Sequence, residues 1–140
     1  MKNTEQQPRS RFKYFVWTIT ALGHLVQRRH YHNWSDATVC REAVSALHIY
    51  LLEWAAERSK QGDKEPNPAI AYGLENEIAA AVDFLTAFAD GETVGDFDGF
   101  FSAMNTFYKL DLLRAEHIPP EAYRRKAKGE KSYEESFGRN

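Results

Sequence analysis

The sequence predicts an all-α fold, a bundle of four antiparallel helices with a short fifth and frayed tails at both ends. Three observations predict it. Apolar residues recur at alternating three- and four-residue steps over four long stretches, the spacing that lines one side of a helix. Capping residues and polar turn formers separate those stretches. No period of about 20–50 residues repeats, which leaves amphipathic rods packed seam to seam rather than a solenoid. The chain of 140 residues suits one domain, with residues 10–127 as the bundle, 1–9 as a flexible lead and 128–140 as a disordered tail.

The first helix starts at Ser10 and carries Phe12, Phe15, Ile19, Leu22 and Val26, widened by Trp17, Ala21 and Leu25. Its aromatic and β-branched content would suit a strand, but helical spacing held over four turns decides against one. Asn33-Trp34-Ser35-Asp36 breaks the chain, with Ser35 placed to cap a second helix. That helix runs on Ala37, Cys40, Val44, Leu47, Leu51 and Trp54 and gives way to RSKQGDKEPNP (58–68). Asn67-Pro68 opens a third helix striped by Ala71, Leu74, Ile78, Ala81, Leu85 and Phe88, and Gly91 stands where a left-handed cap closes it. Asp96 or Asp98 caps a fourth, whose predicted core stripe is Phe97, Phe101, Met104, Tyr108 and Leu112. Pro119-Pro120 ends it, and EAYRRKAKG (121–129) forms the short fifth.

Composition narrows the environment. A single cysteine, Cys40, excludes an intrachain disulfide and favours a reducing compartment. YFVWTITALGHLV (14–26) falls short of the roughly 20 apolar residues that span a bilayer. No cleavage site follows it, so a soluble, cytoplasmic chain is expected, with no membrane contact.

The net charge of −2 hides an asymmetry. Residues 1–31 hold six cations against Glu5, for +5, whereas residues 67–98 hold Glu75, Glu77, Asp83, Asp90, Glu92, Asp96 and Asp98 with no Lys or Arg. Seven carboxylates without a local cation repel one another, and a basic protein surface would relieve that. These seven are the candidate partner-binding residues. A solvated face kept acidic for solubility is the plainer alternative.

CREAVSALH (40–48) sets Arg41 and His48 seven residues apart, nearly two turns, so both lie on one helical face beside the expected seam. A histidine there could take a proton from a ribose 2′-hydroxyl while the arginine holds the phosphate. Arg, six residues, His resembles the signature of HEPN ribonucleases. The resemblance implies a helical bundle acting as a dimer with a composite site, and Arg41 and His48 as catalytic residues. The pattern differs in having Glu42 after the arginine and in lying on the second helix. As a structural pair, Arg41 would be a bundle-edge cation and His48 would lie along Leu51 and Leu52.

HLVQRRHYHNW (24–34) offers two other chemistries. His24, His30 and His32 lack the spacing of a zinc site, and Arg28 and Arg29 suit a helix C-terminus. The same arginines, with Arg124, Arg125 and Lys126 of a second basic cluster, are candidate nucleic-acid contacts, with Tyr31 or Trp34 stacking on a base. A pI near 6.2 restricts that role to a subunit of a larger complex. No Glu-x-x-His, phosphate-cradling glycine loop, nucleophile elbow or zinc motif occurs, so neither metal nor cofactor is expected.

The leading expectation is a non-enzymatic protein-interaction module that binds a basic partner through its acidic third-helix region. Small size and missing catalytic motifs fit an accessory or inhibitory protein of a phage or other mobile element. A HEPN-like ribonuclease and a helical nucleic-acid-binding subunit are the alternatives, and a homodimer is a further expected assembly.

Overall fold

The computed structural model describes residues 11–92 and 98–125. Five helices follow in order: α1 (Arg11–Val26), α2 (Asp36–Lys60), α3 (Pro68–Ala71), α4 (Glu75–Ala89) and α5 (Asp98–Ala115). A further helical stretch begins at residue 120. The fold is an all-α bundle, and no strand forms among the described residues; Tyr31 and Trp34 share only an isolated backbone bridge. The tails at 1–9 and 128–140 lie outside the described residues.

The four long helices pack as a ring in which α1 touches α2 and α5, and α4 touches the same two. Phe12 lies beside Arg114 and Phe15 beside Phe107, while Glu77 meets Lys109 and Phe84 meets Phe100. Numbers therefore rise along α1 and α4 as they fall along α5. At the centre Phe15 is sandwiched between Tyr50 of α2 (4.0 Å) and Phe107 of α5 (4.9 Å). Burying such a ring contributes about 1.5–3 kcal/mol, so this three-helix stack is a principal weld of the ring.

Several caps are those the residue pattern implies. The Ser35 hydroxyl accepts from Thr38 N–H (3.1 Å), and Asn67 Oδ1 accepts from Ala69 N–H (3.0 Å) with Pro68 at the first helical position. Beyond α4, Gly91 adopts φ +81°, and the amides of Gly91 and Glu92 return to the carbonyls of Phe88 and Ala87. Asp96 and Phe97 lie outside the described residues, and α5 begins at Asp98.

Three expectations need correction. The third helix is not continuous: Gly73 takes φ +68° and splits it into α3 and α4. A left-handed residue ends a helix, and the apolar spacing carries through the break, which conceals it. On α1, Trp17 is 38% exposed and Thr18 is buried instead, its hydroxyl satisfied by the Phe15 carbonyl at 2.6 Å.

The third correction has the widest consequence. On α5 the buried residues are Phe100, Ala103, Thr106, Phe107, Leu110 and Leu113. The expected core residues Phe101, Tyr108 and Leu112 are 51%, 58% and 41% exposed. The helix carries two apolar stripes on nearly opposite faces, and only one can face the core.

Candidate functional site

Positions 101, 108 and 112 of α5 are separated by seven and four residues, close to whole turns, so the three side chains form one ridge. On the neighbouring α1, Val16 and Trp17 are also exposed. Five of the seven large apolar side chains that face solvent among the described residues thus belong to the adjacent pair α1 and α5. Trp17 packs on Tyr14, whose hydroxyl donates to Glu42 of α2, and so lies on the α2 flank of α1; the three aligned side chains of the α5 ridge are the patch that marks a contact surface.

On α4, across α5 from α1, Glu75, Glu77, Asp83 and Asp90 are exposed, as is Glu92 just beyond the helix. Asp98 opens α5 and is exposed too, and Asp96 lies outside the described residues. The local absence of cations along the chain does not hold in space for Glu77. Lys109 of α5 donates to both its carboxylate oxygens at 3.2 Å. Partial burial opposes the charge on Lys109, but Glu77, with Tyr123 adding, outweighs it and holds the ammonium above its ordinary range. Asp83 and Asp90, seven residues apart, stay on one outward face.

Arg41 and His48 are both exposed rather than half-buried. The seam of α2 runs through Val39, Ala43, Leu47, Tyr50 and Trp54, displaced from the expected line of Ala37 and Val44. At about 100° per residue, both side chains stand roughly 150° from its centre. The Arg41 guanidinium donates to the Ala89 carbonyl at 3.0 Å, closing the carbonyl end of α4. Cys40, beside it, is fully buried; burial chiefly, with Asp36 adding and Arg41 opposing, pushes its thiol up to about 12.

The basic and histidine candidates fall at helix ends. Arg28, with φ +59°, and Arg29 follow α1, and the Arg28 and Arg29 amides bond back to Leu25 and His24. Tyr31 is buried in a ring cluster with His24, His32 and Trp34, so its face is not offered to a base. Arg124 donates to the carbonyls of Ile70 (3.2 Å) and Ala71 (2.7 Å) and so caps α3. Arg125 is exposed, and Lys126 lies outside the described residues. Among the described residues no three His, Cys, Asp or Glu side chains gather as a metal-holding group. No helix of the described residues is long and apolar enough to cross a membrane.

A cleft of about 870 Å³ opens between the end of α2, α3 and the turn after α5. It is lined by Arg58, Arg114, Arg124, Trp54 and Tyr72 among others, and by neither Arg41 nor His48. Each arginine already serves the fold. Arg58 pairs with Asp63 (3.4 Å) and donates to the Glu65 carbonyl (2.8 Å), while Arg114 Nε donates to the Tyr50 hydroxyl (3.0 Å). The C-termini of α2, α3 and α5 converge here, and their partial negative charge accounts for the cations.

No protein-family model, curated protein or solved structure matches the chain. The ridge on α5 is therefore read from its own chemistry. Its residues are visible in the sequence, but a helix with two apolar stripes gives no local sign of which one is buried.

Proposed function

We propose that the chain is a non-enzymatic helical interaction module that docks a basic partner surface through the outer stripe of α5 and the acidic side of α4. The observation that carries this reading is the second apolar stripe, with Phe101 and Tyr108 each more than half exposed. Aromatic side chains supply large contact area at low entropic cost, and they anchor interfaces when a polar rim surrounds them. Asp83, Asp90 and Glu92 would be part of that rim and would steer a cationic partner. Arg41 has a structural use at the end of α4, which weighs against reading it with His48 as a catalytic pair. The lone buried thiol of Cys40 suits the cytoplasm, and a small accessory or inhibitory protein of a mobile element fits the profile.

The test has two arms. A basic protein captured by the immobilised chain should be lost from both the Tyr108→Asp and the Asp83→Lys/Asp90→Lys variants. Capture indifferent to both changes refutes the docking surface. Incubated with RNA, the chain should leave it intact; cleavage abolished by His48→Ala would overturn the non-enzymatic reading.

A further inference from the structure

We infer that the outer stripe of α5 is covered in the free protein by the chain's own C-terminal segment, with Tyr133 and Phe137 resting on Tyr108 and Leu112 until a partner displaces them. The inference deepens the docking reading above, and its regulatory meaning rests on that reading, since it names what covers the same surface.

The stripe extends beyond its three large side chains. Phe101, Asn105, Tyr108, Leu112 and Ala115 are all exposed and follow one another at alternating four- and three-residue steps, the spacing of a seam along which one apolar segment takes another. None of the five is charged, so the stripe holds an occupant by apolar contact rather than by charge.

The chain leaves the described residues beside this seam. Tyr123 packs against Tyr72 with ring centroids 5.8 Å apart, and it lies close enough to Lys109 to help hold that ammonium charged. Lys109 directly follows Tyr108 and stands one turn from Leu112. Description ends at Arg125, and the sequence continues for fifteen residues, 126–140, in which Tyr133 and Phe137 are the only large apolar side chains. Their four-residue spacing matches the step from Tyr108 to Leu112. The eight residues from Arg125 to Tyr133 reach up to about 26 Å, whereas the whole ridge from Phe101 to Leu112 is about 16 Å of helix. The other end of the chain is a poorer occupant, because residues 1–10 hold Met1 as their one large apolar side chain.

A short tether makes a weak contact effective. Held by so few residues, the segment meets the stripe at an effective concentration in the millimolar range, so two aromatic contacts that would not retain a free peptide can close within one chain. A partner then binds with an affinity reduced by the fraction of time the stripe stands open.

A nitroxide attached to the full chain through Gly138→Cys tests this, Cys40 being fully buried and so withheld from the label. Amide signals of residues 101–112 should broaden, and Tyr133→Ser/Phe137→Ser in the labelled chain should relieve the broadening with helical circular dichroism unchanged. Signals at 101–112 that stay sharp, broadening centred instead on the cleft at Trp54 and Ile70, or broadening that survives the two serines would overturn the inference. So would broadening of an isotope-enriched, unlabelled chain mixed with a spin-labelled one, which would put a second copy on the stripe. Capture of a basic protein should strengthen by roughly threefold or more in Tyr133→Ser/Phe137→Ser, the gain on freeing a stripe covered about two-thirds of the time; unchanged capture would overturn the regulatory role. Capture lost in Tyr108→Asp without any broadening would remove the cover and leave the docking reading standing, whereas broadening with capture indifferent to Tyr108→Asp would remove the docking reading and leave the cover.

Discussion

Replacing Tyr50 by Phe isolates one hydroxyl in the most heavily welded part of the bundle. Tyr50 is fully buried, and its ring stacks on Phe15 and meets Phe12 and Trp54 edge-on. The substitution leaves those contacts in place. What it removes is a link between two residues of α5: Arg114 Nε donates to the hydroxyl at 3.0 Å, and the hydroxyl donates to Asp111 at 3.3 Å. A hydrogen bond to a charged group contributes about 1.5–3 kcal/mol, but Arg114 and Asp111 are only half-buried and water can replace part of the loss. The expected cost is about 1–2 kcal/mol, a fall in Tm of about 3–8 °C for a chain of this size. Thermal unfolding followed by circular dichroism measures it. A double-mutant cycle with Arg114→Met should return a coupling near 1 kcal/mol, separate from the guanidinium's stacking 3.7 Å over Phe12. A Tm unchanged within about 1 °C would refute the claim that this hydroxyl ties α2 to α5.

Three further outcomes follow from the packing. Gly99→Ala should destabilise by about 1–3 kcal/mol, read by urea unfolding, because the added Cβ would land on the Phe84 ring that packs against Phe88 and Phe100; an unchanged midpoint would mean that α4 and α5 do not approach so closely. Cys40 should resist a thiol–disulfide reagent at mildly alkaline pH until denaturant is added, since its buried thiol is held up to about 12; rapid native labelling would contradict that. Burial raises the phenols of Tyr14, Tyr31, Tyr50 and Tyr72 above their ordinary value of 10, so the unfolded chain loses those protons first. Their contribution is complete below about pH 10 and is lost as pH rises beyond it, by up to about 1.4 kcal/mol per pH unit for a well-shielded phenol such as Tyr50. Tyr50→Phe should flatten that slope in urea titrations, and an identical slope would count against the shift.

How much of this was legible in the sequence differs from helix to helix. Ser35, Asn67 and Gly91 announced their caps because capping is local chemistry, settled by residues one turn apart. The stripe of α4 was also legible, because charged and small residues mark its other faces. On α2 the expected stripe holds in part: Cys40, Leu47 and Trp54 are buried, but Ala43, Ala46 and Tyr50 complete the seam, and alanine carries little signal beside Leu51 and Val44, which are only partly buried. On α5 only Met104 of the expected stripe packs against the core, because Phe100, Phe107 and Leu110 alternate with Phe101, Tyr108 and Leu112, and periodicity cannot rank two equal stripes. The Gly73 break was hidden for a related reason, since the apolar spacing continues across it. The acidic set was readable as charge, but Lys109, the cation that meets Glu77, comes from thirty-two residues away. Arg41 likewise finds its acceptor on another helix, forty-eight residues along the chain.

The working claim is that a greasy outward line on the last long helix, and not the far side of the second, is where this molecule meets its partner. Amide NMR spectra of the full chain, recorded from dilute to concentrated solution and with an added basic protein, test it most directly. The account predicts changes centred on residues 101–112 with satellites on α4 when the basic protein is added, while His48 and the exposed Leu52 of α2 stay fixed. Spectra in which residues 101–112 respond neither to concentration nor to an added basic protein, or changes centred on His48 and Leu52, would contradict it.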